Sequence, residues 1–199
     1  MYDYKETVAF QHFLNLSAKL GYTRLDATDS LKAFGLTRFY EAIECGGLGS
    51  ELNGAPALTL YAPTNKAFEL LSAQDMQQLF GTPAACLETA KAHAVPGVVK
   101  MHGDLSEISY LDSKQFTYLP GTKITHRHCP FPIVVTSSKQ PNAVALELFW
   151  IKTKNGVLHI IDAVLGSSDQ RQYDMLKEPS ERMNELVFRD FEPQDAILA

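Results

Sequence analysis

No stretch of the chain approaches the roughly 18 consecutive apolar residues that a membrane-spanning helix needs. The opening MYDYKETVAFQ has neither a basic start nor the apolar run of an export signal. The expectation is a chain that stays in the cytoplasm, or one whose signal was removed. Basic charge is also short, with 18 Lys and Arg against 23 Asp and Glu and a formal charge of -5. A surface of that balance gathers no phosphate backbone, so nucleic acid is not an expected partner. Cysteine is scarce: Cys45, Cys86 and Cys129 are odd in number and widely spaced. They make no dense disulfide framework, and either one bridge or simply small buried side chains accounts for them. Gly-x-Ser-x-Gly, a phosphate-binding Walker loop, His-Glu-x-x-His and Cys-x-x-Cys are all missing. Without a nucleophile beside its base, or a paired acid and base, the expected protein is not an enzyme.

What is present is enough apolar material for one substantial core, 45% of 199 residues. Phe10, Phe13, Leu14, Ser17 and Leu20 recur at helical spacing before Gly21. Asn15-Leu16-Ser17 fits the glycosylation pattern, but its apolar neighbours place it on a packed helix. Asp29 or Ser30 is expected to cap a helix through Leu31 and Phe34, and Thr37 to open another through Tyr40 and Ile43, broken by Gly46, Gly47 and Gly49. Ser72-Ala73-Gln74-Asp75 and Thr82-Pro83 read as two further helix starts, the second helix ending near His93. Beyond Val95, Pro96-Gly97, Pro120-Gly121, Pro141-Asn142 and Asn155-Gly156 punctuate runs rich in β-branched and aromatic residues. That half reads as strands, with Asn155-Gly156 as a two-residue hairpin turn. From Ser167 on, the text is charged and polar, with one helix around Met183 to Val187.

The segment LTLYAPTNKAF, residues 58–68, reads as a strand locked onto a helix. Leu58 and Leu60 alternate with Thr59 and Tyr61, Pro63 stops the ladder, and Thr64 or Asn65 offers an oxygen to the first free helical amides. Phe68, Leu70 and Leu71 then carry the helix's apolar face back to the sheet. This phrase resembles the first signature of fasciclin-like domains. Lys91 to Gly97, KAHAVPG, is similar to that family's central histidine and Val-Pro-Gly corner, and Asn155 to Leu165, NGVLHIIDAVL, to its second signature. All three occur in the family's order.

The resemblance implies an α+β fold, a single domain in which a twisted β-sheet wedge packs against a helical cluster and the two signatures form neighbouring central strands. It covers residues 28–168, leaving 1–27 as an N-terminal helical extension packed on the domain and 169–199 as a charged tail or clasp. Thr64, Asn65, Phe68, His93, Pro96, Gly97, Asn155, Gly156, His159 and Asp162 are the motif residues, structural in role, with His93 as a buried hydrogen-bonding post between helix and loop. It also implies a non-catalytic module, exported to the cell surface, periplasm or exterior, whose partner is a protein or matrix component. Two departures argue against an integrin-like contact: Ala92 stands where a tyrosine commonly precedes the histidine, and Leu148-Phe149-Trp150-Ile151 replaces an acidic-aliphatic pair.

Some relatives of that fold carry carotenoids. The apolar run from Ala143 to Ile151 has Glu147 as its only charge, so a patch of Tyr61, Pro63, Phe149 and Trp150 is the alternative site, for an apolar ligand or a partner. Burial of the run in a central strand explains it as well. His126 and His128 alternate on a strand and are the weak candidates for a metal, with His93, His102 or His159 as a third ligand. A hydrolase using His93 or His159 is the remaining alternative, although His159 and Asp162 fall on opposite faces of a strand.

Overall fold

The computed structural model describes residues 23–97, 113–128 and 133–168. The expected helix from Phe10 to Leu20, the Asn15 pattern, His102, Cys129 and the C-terminal tail lie outside the described residues. Helices come first: α1 (Ala27–Ala33), α2 (Thr37–Cys45) and α3 (Gly49–Gly54), then, after strand β1 (Leu58–Pro63), α4 (Asn65–Glu69), α5 (Ala73–Phe80) and α6 (Pro83–Ala92). The remainder is β2 (Ala94–Pro96), β3 (Ser113–Phe116), β4 (Lys123–His128), β5 (Ile133–Ser137), β6 (Gln140–Thr153) and β7 (Gly156–Ile161). This is the expected α+β order.

The strands form one sheet in the order β2-β1-β7-β6-β5-β4-β3. Among the described strands only β1 and β7 run parallel, with Leu58 opposite Gly156 and Tyr61 opposite His159. The two signature strands are therefore neighbours in the interior of the sheet. Long β6 pairs with β7 near its end and with β5 near its start, so it joins a mixed half to an antiparallel half. Just beyond β3, the Tyr118 N–H donates to the Ala94 carbonyl at 2.8 Å, tying that end of the sheet to β2 at the other.

The sheet thus curls on itself and has two cores. Its outer face sets Leu58, Leu60, Ala94, Ile151, Leu158 and Ile160 against Leu31, Phe39, Ile43 and Leu52 of the helices. Its inner face encloses Tyr61, Val95, Ile124, Val135, Ala145 and Ile161. Alternation along β1 and β7 makes both possible, because successive side chains point to opposite faces.

Several helix boundaries depart from expectation. α1 is preceded by Asp26, whose side chain makes no cap bond, and Asp29 and Ser30 lie inside the helix. Its leading amides are taken by remote side chains instead: Ala27 N–H by Asn155 Oδ1 at 3.0 Å and Thr28 N–H by Asn53 Oδ1 at 3.2 Å. Ser30 Oγ turns back to the Asp26 carbonyl at 2.8 Å. Gly49 does not break a helix; it begins α3. α4 is a single short turn, so Phe68 is buried while Leu70, at its C-cap, is 45% exposed.

Two turns also move. Pro141-Asn142 lies within β6, the reversal falling at Ser138 and Lys139. At the second hairpin Thr153 faces Gly156, so the two loop residues are Lys154 and Asn155 and Gly156 is already in β7. A Cβ on Gly156 would fall on the Leu58 carbonyl oxygen, so the glycine serves the close approach of β1, not the turn. Residues 23–26 also belong to the packed unit: Thr23 N–H donates to Lys152 O at 2.8 Å and Lys154 N–H to Leu25 O at 2.9 Å.

Candidate functional site

The motif residues converge where β1, β7 and the helices meet. Thr64 follows β1 in extended backbone, and its Oγ1 accepts from the Ala67 N–H at 3.2 Å as the N-cap of α4. Its own N–H donates to the Ile161 carbonyl at 3.0 Å, so the corner is anchored to β7. Asn65 does not cap α4. Its Oδ1 accepts from Arg38 N–H at 3.0 Å and its Nδ2 donates to Gly35 O at 2.9 Å and Thr37 Oγ1 at 3.2 Å, holding the start of α2. Phe68 packs obliquely on Phe80, ring centres 5.0 Å apart.

His93 is 0% exposed and follows the last residue of α6. Its Nδ1 lies 2.8 Å from the Thr89 carbonyl, and its Nε2 lies 3.0 Å from the Leu165 N–H. A carbonyl only accepts and an amide N–H only donates, so the ring is the neutral Nδ1–H form with Nε2 as acceptor. Burial pushes its pKa down to about 4, the Thr89 hydrogen bond opposing and Lys139 adding to the effect. With both nitrogens occupied, it has none to offer a metal or a substrate. The ring ties α6 to the segment after β7, and the His93 carbonyl accepts from Tyr61 N–H at 2.9 Å.

His159 is also fully buried, stacked on Tyr61 with ring centres 5.2 Å apart and planes 19° from parallel. Asp162 is buried beyond the end of β7. Asn155 is the densest junction: besides receiving Ala27, its Nδ2 donates to Leu52 O at 2.8 Å, with Asn53 O and Ala55 O at 3.3 and 3.4 Å. Pro96 and Gly97 leave β2 at the surface, Gly97 N–H donating to Ala57 O at 2.9 Å.

Two of the four residues of the alternative apolar patch are interior. Tyr61 is 0% exposed and Pro63 is buried, because both occupy the inner side of a central strand. Trp150 is half-buried on β6, opposite His159, and Phe149 lies beside it on the same strand. His126 and His128 occupy alternate positions of β4, opposite Val135 and Ile133. Among the described residues no group of three His, Cys, Asp or Glu side chains is placed to hold a metal ion.

Sequence reasoning missed Asp75 as more than a cap partner. Ser72 Oγ accepts from its N–H at 3.0 Å, and Ser72 Oγ–H donates to Oδ2 at 2.9 Å. The carboxylate also receives Ser168 N–H at 3.0 Å and Ser168 Oγ–H at 2.8 Å. Burial opposes its charge, but the Ser168 and Ser72 hydrogen bonds outweigh that and hold its pKa below 3.8. The Ser-x-x-Asp spacing was visible; the partner 93 residues away was not. Also missed was Phe116, which is 63% exposed at the end of β3 beneath the Lys123 ammonium, 4.5 Å from its ring centre.

The family model of the fasciclin domain matches residues 34–167. The chain belongs to the fasciclin domain family. It is 30% identical over 146 residues to transforming growth factor-beta-induced protein ig-h3 of Sus scrofa, covering 73% of this chain and 19% of that protein. It is likewise 30% identical over 149 residues to a fasciclin-like arabinogalactan protein of Arthroderma benhamiae, covering 71% of this chain and 30% of that one. This fasciclin chain therefore spans less than a third of either relative's length. Among solved structures, a domain pair from the insect cell adhesion molecule Fasciclin I superposes with a TM-score of 0.56 at 19% identity, over 68% of this chain and 46% of that one. That likeness speaks for the fold.

Proposed function

We propose that this fasciclin domain is a non-catalytic binding module that meets a protein or extracellular-matrix partner after export from the cytoplasm. The observation that carries the reading is the internal use of the motif side chains. His93 has both nitrogens engaged, Thr64, Asn65 and Asn155 hold turns and helix starts, and His159 is sealed against Tyr61. Chemistry-bearing groups of the signatures thus build the scaffold, which leaves recognition to the surface around them. The insect neighbour is a cell adhesion molecule, which supports the same class of role. No described helix is long and apolar enough to cross a membrane.

The test is to immobilise the full chain and measure attachment of cells and of purified matrix proteins, with heat-unfolded chain as the control. Saturable attachment to the folded chain alone is expected. Absence of attachment across the panel, together with turnover in an ester or peptide hydrolysis screen, overturns the reading. Mixed with carotenoid and passed through a sizing column, the protein is expected to elute colourless, since Tyr61 and Pro63 present no open apolar face.

A further inference from the structure

α2 and α6 touch through their backbones at one point. A Cβ added to Gly46, the C-cap of α2, would lie 2.7 Å from both Leu87 Cα and Leu87 N. Only a residue without a side chain permits that approach. Cys45 directly precedes Gly46 and Cys86 directly precedes Leu87. Each cysteine therefore lies one residue, about 3.8 Å of chain, from the point where the two helices touch. Their side chains converge as well: the Cys45 thiol is a hydrogen-bond partner of Cys86. Both line a cleft shared with Arg38, Phe68, Met76 and Phe80. Both are free thiols, Cys45 exposed and Cys86 buried, the latter donating to Phe80 O at 3.5 Å.

We propose that Cys45 and Cys86 form a thiol–disulfide exchange site that reacts with a low-molecular-weight disulfide such as oxidised glutathione and closes into a bridge between α2 and α6. The exposed Cys45 thiolate attacks one sulfur of the external disulfide, whose S–S bond breaks. The first small thiolate leaves and takes up a proton. Cys86 then loses its proton to solvent, and its sulfur displaces the second small thiolate from Cys45. The chain's two thiols are oxidised by two electrons while one external disulfide is reduced to two thiols, so the exchange balances without another reactant. The order of attack follows from access. Burial first, and then the Cys45 thiol, push the Cys86 thiol up to about 11, so the closing step quickens as pH rises above neutrality.

The experiment treats the full chain, under native conditions, with oxidised glutathione, quenches with acid, alkylates the remaining thiols after unfolding, and maps peptides by mass. One linked peptide pair joining Cys45 to Cys86 is expected, with Cys129 alkylated, a chain lighter by two hydrogens, and a thermal midpoint raised by several degrees. A stable glutathione adduct on Cys45 with Cys86 still alkylatable, no reaction at Cys45, or a bridge to Cys129 each overturns the proposal. Cys129→Ser is expected to retain the bridge, and Cys86→Ser to stop at the glutathione adduct on Cys45. Should the buried Cys86→Ser chain fail to fold, the peptide map of the unaltered chain still decides.

Discussion

Asn155 and His93 each join segments that the chain keeps far apart, and each can be probed alone. Asn155→Ala removes the acceptor for Ala27 N–H and the donor to Leu52 O, so partly buried groups lose their partners. A loss of about 2 kcal/mol is expected in urea unfolding. Asn155→Asp keeps the acceptor but turns a charge toward carbonyls, and is expected to be no milder. His93 carries a pH signature. Its folded pKa of about 4 lies below the ordinary 6.5, so the unfolded chain binds the proton first as pH falls. The stability that His93 contributes is whole above pH 6.5 and declines as pH drops toward about 4, by on the order of 3 kcal/mol. Urea midpoints measured across that interval should fall steadily in the unaltered chain and change less in His93→Gln. The Thr64 cap has a local signal, a hydroxyl before a helix, whereas the part expected of His93 came from the resemblance of KAHAVPG to the family's central motif. Asn65 was readable as important but not in its task, because its partners lie on another turn of chain.

Among elements, the β6–β7 hairpin shows how a strong local signal is redirected. Asn-Gly usually occupies the two central positions of a tight turn. Here the asparagine amide is claimed by α3 and α1, and the absence of a Cβ is claimed by β1, so the turn slips by one residue. Gly156→Ala is accordingly expected to lower stability by about 3 kcal/mol through collision with Leu58. Lys154→Ala, in the loop itself, loses one exposed ion pair with Asp26 and is expected to change stability by less than about 1 kcal/mol. The same lesson applies at α1, whose cap was sought in Asp29 or Ser30 but is supplied by Asn155 and Asn53. Strand identity from Leu58 to Pro63 was plain from alternation, and that of Val157 to Ile161 from an apolar, β-branched run after a turn signal, whereas Pro141 hid the start of β6 by mimicking a turn. A second acid-sensitive element is the latch between α5 and Ser168. Asp75 has its folded pKa held below 3.8, so its contribution persists above that value and is lost as pH falls through the lower one. The protection factor of the Ser168 amide against hydrogen exchange should fall in Asp75→Ala at neutral pH, and in the unaltered chain once acid protonates Asp75.

Across the whole molecule, two cores share one set of strands. β1 and β7 give Leu60 and Leu158 to the helical core and Tyr61 and Ile161 to the inner one. Neither core is therefore complete without the other's strands, and unfolding should be a single cooperative event. Trp150, the one tryptophan, lies on β6 and reports on the sheet, while far-UV circular dichroism reports largely on the helices. Their urea transitions are expected to coincide; distinct midpoints would mean that the helical cluster and the wedge come apart separately. The parallel alignment of β1 with β7 also bears on how the protein is made. During translation β1 leaves the ribosome early and β7 only after nearly all the intervening polypeptide, so the sheet's middle stays open until synthesis of the domain is almost finished. Nascent chains halted before Gly156 should therefore remain protease-sensitive and in need of chaperone shelter, whatever their helices have already achieved.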